Sequence, residues 1–347
     1  MGKFTIKDIA RLANVSSATV SRVINDYPYI NKKTKKKVLN IISKTDYQPN
    51  ALARSLVTKK SGMIGVIVWD LASPFFSEIV REIGNECREK NYQPIFCSTD
   101  GNDKIQAEYI ELLLQKNIEG FIIATAHLHD PQIERLVLRG YPPVVLIDRR
   151  LQTELASYVT VDNVEGAYMA AKHLIDHGHK RIACVSGPDN CSSGLERLEG
   201  YKKALAESNI PIDQNLIIPG NFLRAGGYRA AEVILSLKEK RPTAIFCSND
   251  SMALGMLEFF GKRGIRVPQD IALVGFDDIS ISSLYFIQLS TISSRKVDVV
   301  KNAINILIKK ISNPDDDTQY GIKIKPKLVI RNSCGCANKY SNTSAND

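Results

Sequence analysis

The sequence predicts an N-terminal all-α headpiece and a short hinge helix, followed by a larger two-lobed core of α/β doubly wound sheets. Three observations support this fold class: two short helical patterns within residues 5–26, an excess of positive charge in residues 1–61, and alternating apolar and amphipathic segments from residue 62 onward. The chain has no run of eighteen apolar residues, and its first residues lack the apolar segment of a secretory signal. We therefore expect a cytoplasmic protein without membrane contact.

The first helices are predicted from capping residues and apolar spacing. Thr5 and Asp8 suit the start of one helix, and Ser16 suits the N-cap of a second. Apolar residues recur at intervals of three and four in both helices: Ile6, Ile9, Ala10 and Ala13, then Val20, Val23 and Ile24. A third helix at about residues 33–45 would complete a three-helix unit.

The charge of the chain is unevenly distributed. Residues 1–61 hold 13 of the 46 Lys and Arg residues and three of the 37 acidic residues, a net charge of +10. The remainder therefore carries −1 of the formal net charge of +9. A basic run alone is most often a solvated helix face. A small module that carries all the positive charge instead indicates a phosphate-binding surface, because concentrated positive charge binds a polyanion tightly by releasing its counterions.

The polar face of the second predicted helix suits insertion in a major groove. Its residues are short or basic: Ser17, Ala18, Ser21 and Arg22. Small side chains allow close approach, and an arginine can donate two hydrogen bonds to guanine. Any two packed helices remain the alternative for the pattern alone, and the charge distribution argues against it.

The core is predicted from seven continuously apolar runs separated by amphipathic helices. These runs are 63–68, 93–98, 120–125, 143–148, 181–187, 243–249 and 271–278. Such alternation is typical of parallel sheets covered by helices on both faces, and seven or more strands suit two lobes. We expect a core at 62–332 in which the chain crosses between lobes near 160 and 290, and a disordered polar tail at 333–347.

Polar and aromatic residues gather at the predicted carboxyl ends of the strands, where α/β sheets bind ligands. They are Phe75, Phe76, Asp148, Arg149, Arg197, Phe222, Asn249, Asp250 and Asp277. Carboxylates and arginines among aromatic rings suit the hydroxyls and C–H faces of a small polyol. Each residue alone would more often be a surface charge, a core ring or a helix cap, as Asp250 and Asp278 could be.

The chain resembles the LacI/GalR family of bacterial transcription regulators over nearly its full length. The resemblance rests on "TIKDIARLANVSSATVSRVIND", "YQPNALARSL" and "MIGVIV", with further motifs as far as Arg331. It implies a helix-turn-helix headpiece at 1–48, a hinge at 49–61 and a periplasmic-binding-protein-like core. It also implies a homodimer on a two-fold symmetric DNA operator.

The resemblance extends to particular residues. Ser17, Ala18 and Arg22 would face base edges, and Thr5, Ser16, Thr19 and Asn25 would mainly meet phosphates. In the hinge, which also contains Ala53, Leu56 would enter the minor groove as a wedge. Such apolar wedges are known to kink the duplex.

The strand-end residues are similar to the pocket of ribose-binding proteins and ribose repressors, so ribose is the first candidate effector. Two positions depart from that pattern: Ser73 replaces an Asn, and Ser294 replaces a Gln. The shorter side chains leave a hexose, a disaccharide, a purine or a protein co-effector open as alternatives. A sugar receptor without a DNA role is the alternative of another class, but it would have no use for the basic headpiece.

The sequence predicts neither an enzyme nor a cofactor. It contains no G-x-G-x-x-G motif after a strand and no G-x-S-x-G motif. We also expect no metal site, because Cys334 and Cys336 have the wrong spacing for a zinc knuckle, and His177 and His179 suit a helix end.

Overall fold

The described part of this computed structural model comprises residues 4–24, 27–45, 47, 61–125 and 127–336. It divides into two compact units, Met1–Ser61 and Gly62–Asp347. The predicted DNA contacts Asn25, Ala53 and Leu56 lie outside the described residues. Within the described ranges, no helix is long and apolar enough to span a bilayer.

The first unit contains helices α1 (Ile6–Ala13), α2 (Ser17–Ile24) and α3 (Lys32–Thr45). Thr5 caps α1 reciprocally, because its hydroxyl accepts from Asp8 N while Thr5 N donates to the Asp8 carboxylate at 3.0 Å. Ser16 Oγ accepts from Thr19 N at 3.1 Å at the start of α2, as predicted. The three helices bury a small common core: Ile9, Ala10, Ala13, Val20, Val23 and Val38.

The first lobe of the core unit is built on a six-stranded parallel sheet. Its strands are β1 (Met63–Val68), β2 (Gln93–Ser98), β3 (Gly120–Ile123), β4 (Val144–Ile147), β5 (Ser157–Val161) and β11 (Gly321–Ile324). The strand order is β11-β5-β4-β3-β1-β2. The helices of this lobe are α4 (Pro74–Glu89), α5 (Asp103–Gln115), α6 (Pro131–Leu138) and α11 (Lys296–Ser312).

The second lobe has a similar sheet with one antiparallel edge strand. Its strands are β6 (Ile182–Ser186), β7 (Ile217–Pro219), β8 (Ala244–Cys247), β9 (Ala272–Asp277), β10 (Ser290–Ser293) and β12 (Lys327–Val329). The order is β12-β10-β9-β8-β6-β7, with β12 antiparallel to β10. The helices are α7 (Asn163–Asp176), α8 (Ser192–Glu207), α9 (Arg224–Ser236) and α10 (Asp250–Lys262).

The chain passes between the lobes at three places. It leaves the first lobe after β5, returns between β10 and α11, and crosses again between β11 and β12. Helix α11 belongs to the first lobe because its Val300, Ile304 and Leu307 pack in one cluster with the strands of that sheet. The sequence predicted the first two crossings and missed the third, because β11 and β12 are short strands without a continuous apolar run.

The C-terminal segment differs from the prediction. Residues Asn332–Cys334 form a 3-10 turn, and Ser333, Cys334 and Cys336 are buried. Ser333 Oγ donates to Leu273 O at 2.6 Å, so a polar residue is held in the core by hydrogen bonding rather than by apolar contact. The prediction of a disordered tail is therefore wrong for residues 333–336, and residues 337–347 lie outside the described part.

Candidate functional site

The exposed face of α2 contains the residues that the sequence predicted for DNA contact. Val20 and Val23 are buried against α1 and α3, which turns the other side of α2 outward. On that side Ala18 and Arg22 are exposed, and Ser17 and Ser21 are partly exposed. The helix therefore presents a narrow face of small side chains with one arginine, which fits the width of a DNA major groove.

Positive charge surrounds this face within the described part of the headpiece. Lys32, Lys33, Lys36 and Lys37 are exposed at the start of α3. Thr5 and Ser16 are exposed at the N-termini of α1 and α2, where free backbone N–H groups favour anions. This arrangement combines an electrostatic surface for phosphates with a helix that can reach base edges.

A second candidate site is a cavity between the two lobes of the core unit. The first lobe contributes Trp69, Asp70, Ser73, Phe75, Phe76, Asp148 and Arg149 to its lining. The second lobe contributes Pro188, Asn190, Arg197, Asn221, Phe222, Leu223, Asn249 and Asp277. Eight of the ten residues predicted for effector binding thus lie together. Contrary to the prediction, not all come from strand ends: Phe75 and Phe76 lie in the first turn of α4, and Arg197 lies within α8.

Arg197 lies at the centre of this cavity and its side chain is only 3% exposed. Its guanidinium donates to Asn163 Oδ1 at 2.8 Å and to the Ser248 carbonyl at 2.6 Å. It also lies over the Phe276 ring, 3.8 Å from the centroid. These contacts hold the planar group in one orientation, which a bidentate ligand contact requires.

Two buried carboxylates share this guanidinium. Asp277 Oδ1 lies 3.1 Å from Arg197 and Asp148 Oδ1 lies 3.6 Å from it. Burial raises the pKa of Asp277 to about 8, although the positive charge of Arg197 opposes the shift. Burial also raises the pKa of Asp148. Because burial outweighs the opposing charges of Arg197 and Lys296, the Asp277 carboxyl keeps a proton near neutral pH.

Replacing Asp277 by asparagine should weaken the pH dependence of stability. With its pKa raised from 3.8 to about 8, the folded Asp277 keeps a proton that the unfolded chain loses above pH 4. Its contribution to stability therefore falls as the pH rises through this window, by at most about 1.4 kcal/mol per pH unit.

Urea unfolding of wild type and Asp277→Asn at pH 5, 6.5 and 8 measures this difference. The variant should lose less stability between pH 5 and pH 8 than the wild type. Asp189→Asn changes an exposed carboxylate of the same lobe and serves as the control with an unchanged slope. Parallel pH profiles for wild type and Asp277→Asn would contradict the assignment.

The first lobe contributes a second arginine to the cavity. Arg149 donates to the Thr125 carbonyl at 3.3 Å and lies 5.0 Å from the centre of the Trp69 ring. Within the described part of the chain, Arg149 Nε and Asp277 Oδ1 are buried without a hydrogen-bond partner. Both atoms nevertheless face opposite charges, since Arg149 Nε lies 4.0 Å from Asp148 Oδ2 and Asp277 Oδ1 lies 3.1 Å from the Arg197 guanidinium.

Two predicted effector residues do not line the cavity. Asp250 is fully buried and accepts from Ile279 N, Ser282 Oγ and Thr291 Oγ1 at 3.0, 2.7 and 2.6 Å. It therefore holds the loop after β9 in place, and the cap of α10 is Asn249 instead. Ser294 Oγ donates to the Asp277 carbonyl at 3.2 Å, so it holds the backbone of a lining residue and is not itself part of the lining.

Sequence reasoning missed Trp69, Asp70, Asn190 and Asn221 in the lining. The first two could have been found, because they directly follow β1 and include the single tryptophan of the chain. Asn190 and Asn221 lie in loops, where a polar residue carries no distinguishing signal in one sequence.

A basic helical headpiece joined in one chain to a two-lobed core with a central cavity defines a DNA-binding regulator that responds to a small molecule. Comparison with known proteins specifies the family. Residues 5–50 match "Bacterial regulatory proteins, lacI family", and residues 61–332 match "Periplasmic binding proteins and sugar binding domain of LacI family". The chain belongs to the LacI family, and it is a DNA-binding transcriptional repressor rather than an enzyme.

Individual relatives cover nearly the whole chain. The HTH-type transcriptional repressor PurR of Vibrio atlanticus is 37% identical over 329 residues, which are 95% of this chain and 98% of the relative. The lac repressor dimer bound to operator and the anti-inducer ONPF has a TM-score of 0.86 at 27% identity, covering 96% of this chain and 99% of that chain. A LacI family regulator from Enterococcus faecium with bound ribose has a TM-score of 0.69 at 28% identity, covering 78% and 98%.

Proposed function

We propose that a small sugar, with ribose or another pentose as first candidate, binds between the lobes and controls the affinity of this repressor for its operator. The protein acts in the cytoplasm as a homodimer whose two headpieces contact the half-sites of a two-fold symmetric operator. The observation that carries the effector proposal is the shared group formed by Arg197, Asp148 and Asp277 in a cavity that Phe75 and Phe222 also line.

The chemistry of this group suits a polyol. Carboxylates accept from vicinal hydroxyls, and a guanidinium donates to two oxygens in one plane. The aromatic rings cover the C–H faces of a sugar ring, which are apolar. Phe75 and Phe76 meet edge to face with ring centres 5.2 Å apart, so they form a fixed wall on the side of the first lobe.

The size of the cavity and one serine favour a compact ligand. The cavity encloses about 50 Å³, which is room for a few water-sized groups. Of the two positions that depart from the ribose pattern, Ser73 lies in the lining, whereas the Ser294 hydroxyl is held by the Asp277 carbonyl. Of these two positions, therefore, Ser73 is the one that changes the cavity lining relative to the ribose pattern. A purine is the second candidate, because the same aromatic rings could stack on a planar base.

The ligand would act on DNA binding by changing the angle between the lobes and hence the hinge at 49–61. This coupling has to be reciprocal, so a ligand that weakens operator binding also binds less tightly to the DNA-bound form. Side chains from both lobes line the cavity, among them Arg149 from the first lobe and Asp277 from the second. A ligand bound to both side chains would stabilise one angle over others.

A thermal-shift panel of pentoses, hexoses, disaccharides and purines tests this proposal. Binding to the native state raises Tm by mass action, by an amount equivalent to about 2.7 kcal/mol at one hundred times Kd. We expect ribose or another pentose to give the largest shift, and the same compound to change the affinity for operator DNA in a gel-shift titration. A shift with purines alone would replace the sugar by the second candidate, and no shift with any compound would contradict both.

A further inference from the structure

A cluster of two histidines and one cysteine lies in the second lobe, outside the lining of the cavity. His173 and His177 are four residues apart at the C-terminal end of α7, and Cys336 reaches them from the segment after the Asn332–Cys334 turn. One ligand atom from each residue lies within 4.8 Å of the others. His173 and Cys336 are buried, and His177 is half-buried.

The distances in this cluster are close to those of a tetrahedral metal site. Cys336 Sγ lies 3.3 Å from His173 Nε2, and the two imidazole centroids are 4.4 Å apart. In a tetrahedral zinc site with Zn–S of about 2.3 Å and Zn–N of about 2.0–2.1 Å, the ligand atoms are about 3.4–3.6 Å apart. The His173–Cys336 pair thus has nearly the spacing of two tetrahedral ligands, and the ligand atom of His177 lies within 4.8 Å of both.

A backbone contact orients one of the histidines. His177 Nδ1 lies 2.7 Å from the His173 carbonyl, which can only accept, so Nδ1 donates to it and Nε2 is the atom that would bind a metal. Metal-bound histidines usually make this second contact to a carbonyl or carboxylate.

Cys334 and His179 are close to the cluster in sequence but have other hydrogen-bond partners, so we do not include them in it. Cys334 Sγ lies 3.1 Å from Ser290 Oγ, and His179 Nδ1 lies 2.9 Å from the Thr243 hydroxyl. The plain alternative for Cys336 is a buried thiol that makes hydrogen bonds to His173 and, at 3.4 Å, to the Cys334 carbonyl. Such a pair does not account for the second imidazole that converges on the same point.

We propose that His173, His177 and Cys336 form a site for a zinc-class ion with water as the fourth ligand. Nitrogen and thiolate ligands in this number select Zn²⁺ over Mg²⁺ or Ca²⁺, which prefer oxygen. The half-buried position of His177 gives water access to the fourth coordination position. The bound ion ties the C-terminal segment to α7, so it stabilises the second lobe at a place remote from the effector cavity.

Metal titration of the full-length protein tests this site. After treatment with a chelator, the wild type should bind one Zn²⁺ per chain with a rise in Tm, and Co²⁺ should give a thiolate-to-cobalt charge-transfer band. Cys336→Ser should abolish that band, and both Cys336→Ser and His177→Gln should weaken Zn²⁺ binding at least about tenfold. His179→Gln, a change to the histidine bonded to Thr243, should bind Zn²⁺ as the wild type does.

Circular dichroism of the metal-free variants checks their folding. If Cys336→Ser fails to fold, His177→Gln decides the question, because its half-buried side chain is replaced by one of similar polarity. Absence of binding at one equivalent of Zn²⁺ would overturn the proposal. Equal affinity in wild type and His177→Gln would also overturn it, and would leave Cys336 as a hydrogen-bonded core thiol.

Discussion

Replacing Arg197 by alanine should lower effector affinity at least about 100-fold, which corresponds to about 2.7 kcal/mol. Among the described residues, Arg197 is the only cation whose nitrogen atoms lie within 3.6 Å of the carboxylate oxygens of both Asp148 and Asp277. Each lost hydrogen bond to a charged group contributes about 1.5–3 kcal/mol. Isothermal titration with ribose, or with the sugar that shifts Tm most, measures the loss. The unliganded variant should still bind operator, because the headpiece is a separate compact unit.

The same variant should also be less stable. Removing one partner of a buried ion pair costs about 3–5 kcal/mol, because the remaining charges are left uncompensated. The cost should be smaller at pH 5 than at pH 8, since both carboxylates can then take up protons. Arg224→Ala is the matched control: its pair with Glu258 at 2.7 Å is exposed and should contribute at most about 1 kcal/mol. Wild-type sugar affinity in Arg197→Ala would contradict the assignment of the cavity.

Replacing Ile9 by alanine should abolish operator binding and leave effector binding intact. Ile9 is fully buried in a small core that, among the described residues of the headpiece, contains six buried apolar side chains. Truncating a buried isoleucine to alanine costs about 2–5 kcal/mol. That cost is comparable with the whole stability of a domain of this size, which buries a small fraction of its surface.

Calorimetry and gel shift measure this outcome together. The transition of the headpiece should be lost, while the transition of the core and its rise with ligand should remain. Leu12→Ala is the matched control on the same helix, since Leu12 is 49% exposed and its truncation should leave the headpiece folded. Operator affinity within about threefold of wild type in Ile9→Ala would show that the headpiece has more stability than its small core implies.

The strands were predicted correctly where the sequence contains an unbroken apolar run, which burial on both faces produces in six of the seven; the edge strand β2 is only half-buried. All seven runs correspond to strands β1, β2, β3, β4, β6, β8 and β9. Strand β10 was missed because Ser290 and Thr291 are buried through hydrogen bonds to Arg331 N and Asp250 rather than through apolar contact. A sequence does not reveal such polar partners when they are 41 residues away along the chain.

The candidate site also contains features that the local sequence predicts and others that depend on the tertiary structure. Parallel strands bring their carboxyl ends to one edge of a sheet, so the sequence could predict that Asp148 and Asp277 each lie at such an edge. It could not predict that Arg197, which lies within α8, joins them. It could not predict which of two adjacent residues faces the cavity: Asn249 lines it, while Asp250 supports the loop beneath. The distinction depends on backbone direction after β8, which no local pattern encodes.

The three passages between the lobes determine the order in which a growing chain can fold. Strands β1 to β5 of the first lobe are made before residue 162, but α11 and β11, which cover and flank them, begin only at Lys296 and Gly321. The second lobe is nearly contiguous and is made in between. At about 5–20 residues per second, roughly 7 to 27 s separate the synthesis of Val161, the last residue of β5, from that of Lys296, the first residue of α11. During that time Ile64, Val145 and Val159, which pack in one cluster with α11 in the folded protein, lack this apolar cover.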